Sequence, residues 1–209
     1  MFLYRSMAGP CLAAGFALLG AALVPTLAQA SIVSVTNLTI VSPPSDVGFD
    51  FIVNAGLPDQ LIFAEQQNVT LAAPLAVDTG GIIAAGTKVN SYLVAANSYA
   101  DTIVVLGARF GEAILGINYT DDSLIASDFL GAAGTNYVIC SNCGYESGDV
   151  ASFAGKLATF SIDYSEPGDF ARVITGVNAA PLPAALPMML TGLIGLGAAA
   201  LRARKRKTA

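Results

Sequence analysis

Residues 87–95 read TKVNSYLVA and residues 102–110 read TIVVLGARF. Both runs have the length of a strand, are rich in β-branched residues and are separated by turn formers, which favours β structure over helix. Working outward, the same signature recurs. Val33, Val35, Leu38 and Ile40 read as a first strand, closed by Pro43, Pro44, Ser45 and Asp46. Val47, Phe49, Phe51 and Val53 alternate with Gly48, Asp50 and Ile52, the period of a half-buried strand. A turn over residues 56–59 follows. Strands are then predicted over 61–71, 87–95, 102–110, 113–120, 156–164 and 170–177. Strand signals at this spacing predict an all-β fold, an antiparallel β-sandwich of jelly-roll type. One short helix is expected from Asp121 to Leu130, capped by Asp122 or Ser123, with Leu124, Ile125 and Phe129 facing the core and Gly131 ending it.

Charge and composition narrow the function classes. Residues 31–179 make one ordinary domain. All fifteen acidic residues of the chain lie within them, against only Lys88, Arg109, Lys156 and Arg172, a net charge of −11. Such a surface repels nucleic acid and favours solubility. The chain has no His and no Trp. Without His it lacks the commonest general base and transition-metal ligand, and every Ser-His or Cys-His dyad. Glycosidases need only two carboxylates, so a secreted glycosidase survives as a third option.

Both ends read as targeting segments. Arg5 supplies a positive start, residues 9–24 are almost wholly apolar, and Ala28 and Ala30 are the small residues that a signal peptidase requires. Residues 1–30 therefore read as a signal peptide cleaved before Ser31, removing Cys11. At the other end, residues 184–201 form an uncharged run of eighteen residues. As a helix this is about 27 Å long, close to the ~30 Å bilayer core. Arg202, Arg204, Lys205, Arg206 and Lys207 follow as a basic stop, which keeps the tail cytoplasmic and places residues 31–180 outside.

Ala180, Pro181, Leu182, Pro183 and Ala184 stand directly before that run. Motif, span and basic end together resemble the PEP-CTERM sorting tail in its VPLPA-type variant, with Ala180 where that variant has Val. The resemblance implies a Gram-negative host, recognition by an inner-membrane exosortase, cleavage near the motif, and release to the surface or an exopolysaccharide matrix. Stretches 86–92, 114–117 and 126–131 also look like a domain that recurs in exported proteins with such tails.

Within the domain, Cys140 and Cys143 are three apart in an oxidising compartment and read as a local disulfide rather than a redox pair, since no amphipathic helix follows. Zinc would need two further ligands. Asn118, Asp121 and Asp122 form one oxygen-rich cluster, and Glu146 and Asp149 another. Both are candidates for calcium, against the simpler reading of Asp as a turn cap. Asn37, Asn68 and Asn118 head glycosylation sequons that read as chance in a Thr-rich β chain. No cofactor is expected. The leading expectation is a non-enzymatic exported protein whose partners are signal peptidase, exosortase, membrane lipid and exopolysaccharide. The alternative is a carbohydrate-binding module, calcium-dependent or not, with Tyr92, Tyr99 or Tyr119 lining a concave sheet face.

Overall fold

The computed structural model describes residues 31–48, 56–96, 103–137, 143–163 and 168–177. Two sheets face each other. The first runs β1 (Ile32–Thr36), β9 (Ile103–Phe110), β13 (Leu157–Asp163), β12 (Val150–Ala154), all antiparallel. The second runs β10 (Ile114–Asn118), β14 (Asp169–Gly176), β8 (Lys88–Ala96), β4 (Gln60–Ala64), β2 (Thr39–Ile40), with β5 (Val69–Thr70) also on β8. Its long pairs are antiparallel, and only the two-residue β2 joins β4 in parallel. The expected β-sandwich is therefore present.

The two sheets differ in how they are covered. In β13 residues alternate, Ala158, Phe160 and Ile162 turning inward. They meet Leu106, Ala108 and Phe110 of β9 and, from the facing sheet, Ile62, Tyr92, Val94, Ala171 and Val173. Strands β8 and β14 are instead buried along almost their whole length. Their other face carries Leu93, Ala95, Phe170 and, on β4, Leu61 and Phe63. It is covered by Val47, Leu124 and Cys143. A third cluster joins Val89 and Ile174 to Leu71, Leu75, Val77, Ile83 and Leu130. A half-buried strand alternates and a doubly covered one does not, which is why residues 87–95 read as a block rather than a period-2 pattern.

Two expected strands are each broken by an asparagine. Asn37 has φ 54° and Asn68 φ 59°. These left-handed positions suit Asn far better than a branched residue. At Asn37 the chain crosses from the first sheet to the second, since β1 pairs with β9 and β2 with β4. The Asn37 side-chain amide donates to Val105 O at 3.0 Å. The stretch 61–71 splits into β4 and β5, with Asn68 in the turn between them. A hairpin of β6 (Leu75–Val77) and β7 (Gly81–Ile83) and the edge strand β12 were not legible as strands, whereas Val47, expected to open a strand, stands in β3 (Asp46–Val47), which pairs in parallel with β11 (Asn136–Tyr137).

The helix is shorter than expected. α1 covers Asp121–Ala126, and one 3-10 turn follows at Asp128–Leu130. Thr120, not Asp122 or Ser123, occupies the cap position. Leu124 is buried as expected, but Ile125 and Phe129 are 41% and 52% exposed. The break at Ser127 rotates Phe129 off the face that Leu124 presents to the sheet. Among the described residues no helix is long and apolar enough to cross a membrane. Residues 1–30, strand residues 49–53, Tyr99, Cys140, Ala180 to Ala184, the span 184–201 and the basic stop at Arg202, Arg204, Lys205, Arg206 and Lys207 lie outside the described residues.

Candidate functional site

The chemistry of the domain concentrates where α1 lies on the second sheet. Arg172 stands on β14, on the face covered by α1, and is 1% exposed. Its Nε donates to Glu65 Oε2 at 2.8 Å and Nη2 to Glu65 Oε1 at 2.9 Å. Nη1 donates to Leu124 O at 2.9 Å and to Ser127 Oγ at 2.8 Å, and Nη2 also reaches Asp128 Oδ1 at 3.1 Å. All the N–H donors of a guanidinium are thus used. Glu65 accepts further bonds from Ser91 Oγ at 2.5 Å and Tyr137 Oη at 2.7 Å. The guanidinium carbon lies 5.4 Å from the centre of the Tyr137 ring.

Electrostatics follow from this burial. Loss of water opposes the charge on Arg172, but Glu65 and then Asp128 outweigh it and hold the pKa above the ordinary value. Burial raises the Asp128 carboxyl against the pull of Arg172. Burial and the Glu65 carboxylate both push the Tyr137 phenol up. The small pocket above the network is lined by Leu93, Asp121, Leu124, Asp128, Tyr137 and Arg172 among others and has a volume of about 40 Å³. Ligand sites are typically ~300–1,000 Å³, so this pocket has no room for a sugar ring.

A larger groove, about 640 Å³, runs between residues 72–78 and one side of α1, with the exposed Phe129 at its wall. Its lining is mostly apolar. Of its two carboxylates, Asp122 is exposed on α1, while Asp78 accepts from Tyr119 N at 2.7 Å, Thr120 N at 2.9 Å, Ser123 Oγ at 2.6 Å and Thr120 Oγ1 at 3.1 Å. Partial burial works against ionisation of Asp78, but these hydrogen bonds outweigh it and hold its carboxyl below the usual range. The acceptor that secures the start of α1 therefore comes from the β6–β7 turn, 42 residues upstream of Thr120.

Three of the calcium candidates, Asn118, Asp121 and Asp149, are used structurally. Asp121 Oδ1 accepts from Cys143 N at 3.0 Å and Gly144 N at 2.7 Å, pinning that loop to α1. Asn118 is fully buried and its amide donates to Ser123 O at 3.1 Å. Asp149 accepts from Glu146 N at 3.0 Å and Asp163 N at 2.7 Å. Among the described residues no group of three metal-type side chains converges. Cys143 is disulfide-bonded. The loop it begins is tight: a Cβ on Gly144 would lie 2.6 Å from both Asp121 N and Tyr119 O.

The tyrosines named for sugar stacking fare differently. Tyr92 lies in the core against Phe110, ring centres 4.7 Å apart, so it presents no platform to solvent. Tyr119 packs on Tyr145 at 5.5 Å, both half-buried against the core. Sequence reasoning missed Glu65, Asp78 and Arg172 as the organising charges. A lone Arg inside the apolar run of β14 was a signal, but its partner stands 107 residues away. The chain matches no protein-family model, no curated protein and no solved structure.

Proposed function

We propose that this is a non-enzymatic exported protein. Residues 1–30 direct export, residues 184–201 hold the chain transiently in the inner membrane of a Gram-negative bacterium, and an exosortase processes it near Pro181 to Pro183. The acidic domain then resides at the cell surface or in the exopolysaccharide matrix. The observation that carries this reading is the ordered series of motif, apolar span and basic stop at residues 180–207. Three features of the domain agree with it. The buried carboxylate Glu65 is neutralised by Arg172 with ion-pair geometry. Asp78, Asp121 and Asp149 all serve as acceptors for backbone N–H groups. Ser31 O accepts from Gly111 N at 2.9 Å, so the residue expected to become the mature N-terminus is tied into the domain.

Mass spectrometry of the protein exported by its own host tests this. The expected mature N-terminus is Ser31, with the segment after Pro183 lost. Exported material still ending at Ala209 would remove the exosortase and leave a tail-anchored protein. Replacing Pro181 and Pro183 by Ala should trap the chain in the inner membrane.

A further inference from the structure

The outer face of the four-stranded sheet is unlike the rest of the domain. Nine large hydrophobic residues are exposed among the described residues, and five of them, Val33, Ile103, Val105, Val150 and Leu157, belong to this one sheet. Between them the register sets a row of small residues across the strands, Thr36 beside Gly107, Gly107 beside Thr159 and Thr159 beside Ser152. Among the described residues the face bears no aromatic side chain. Its outward positions on β9 and β13 include one cation and one anion at opposite ends: Arg109 beside Leu157, and Asp163 beside Ile103. Neither forms an ion pair among the described residues. On a domain of net charge −11 this face is locally neutral.

We infer that this face pairs weakly with the same face of a second copy of the chain. A two-fold axis lying across the strands reverses the face end for end. It sets Arg109 of each copy over the Ile103 and Asp163 row of the other, so that two ion pairs flank a centre of Val105, Val150 and the small residues between them. Isologous contacts of this kind need one patch complementary to itself, and opposite charges at opposite ends supply that. Exposed aliphatic side chains gathered on one face are the usual mark of a protein contact, whereas a sugar platform is built on aromatic rings.

The size of the face sets the strength. Ile103 and Arg109 are about 20 Å apart along β9, and the four strands span about 14 Å. Two copies would then bury roughly 600 Å² in all, under the ~1,200 Å² at which stable interfaces begin. The pair is a weak, reversible one that becomes populated where copies are crowded together.

Sedimentation equilibrium of the full chain in detergent micelles, with Arg109→Glu, Asp163→Arg and the double exchange, tests the pairing. Each single change should weaken association by about tenfold, because like charges then meet at both ends, and the double exchange should restore it. Asp163→Arg is the sharpest variant, since it lowers the overall negative charge. If net repulsion alone governed association, that change would strengthen it, and the proposal would fall. It falls equally if the wild-type chain stays monomeric, if association ignores both charges, or if the double exchange is no better than the singles. A monomeric chain retained on neutral polysaccharide through Val105 would assign the face to a matrix ligand instead.

Discussion

Replacing Arg172 by Met removes a charge from a site that water cannot refill. The two side chains of the Arg172–Glu65 pair are 1% and 0% exposed. In the variant, Glu65 keeps the hydroxyls of Ser91 and Tyr137 but loses both guanidinium donors, while Leu124 O, Ser127 and Asp128 lose theirs. Breaking a buried pair by removing one partner costs about 3–5 kcal/mol, a large part of the ~5–15 kcal/mol available to a domain. Residues 31–177, unfolded in urea and followed by circular dichroism, should show the midpoint lowered by about 2 M at unchanged slope, taking ~2 kcal/mol per M for the slope. The double variant Glu65→Leu with Arg172→Met should be less destabilised than the single, because no charge is then left buried. A loss under about 1 kcal/mol for Arg172→Met, or strict additivity in the double, would refute the view that this pair organises the packing of α1 on the sheet.

Acid stability should depend on Asp78. Its folded pKa is lowered, so its contribution is present above the unfolded value of 3.8 and is lost as pH falls through the folded value. Asp78→Asn should flatten the acid limb of a stability profile below pH 3.8, and an unchanged limb would remove Asp78 as its source. Gly144→Ala should cost about 1–3 kcal/mol, since the added Cβ meets backbone rather than a movable side chain; wild-type thermal stability in that variant would contradict the close approach. Cys140 is the expected partner of Cys143, so Cys140→Ser should lower stability by about 2 kcal/mol without altering export. Alkylation of the exported protein without reductant should find no free thiol, and labelling of both residues would refute the pairing.

Strand identity was legible wherever one feature, a β-branched run between turn formers, carried it: β8, β9, β10, β13 and β14 stand where residues 87–177 predict them. The β12 strand, VASFA, was too short and too rich in small residues to announce itself. The cap expected at Asp122 or Ser123 failed because a better acceptor, Asp78, arrives from another hairpin. Of the oxygen-rich trio Asn118, Asp121 and Asp122, the first two anchor the start of the helix and the Cys143 loop. Side chains that anchor a loop and side chains that hold a cation are the same residue types, and only their partners tell them apart.

The sequence by itself determined the β character of the domain, its acidity, its lack of His and Trp, and the apolar runs near either end, because each is a property of composition or of residues near one another in the chain. Tertiary structure alone decided that one sheet is covered on both faces and the other on one. It also decided that Asn37 carries the chain between sheets, that Arg172 meets Glu65, and that five of the nine exposed large hydrophobic residues described share one sheet. Those outcomes depend on which strands become neighbours. Pairing across a hundred residues is set by how whole faces fit together, and no local pattern records it.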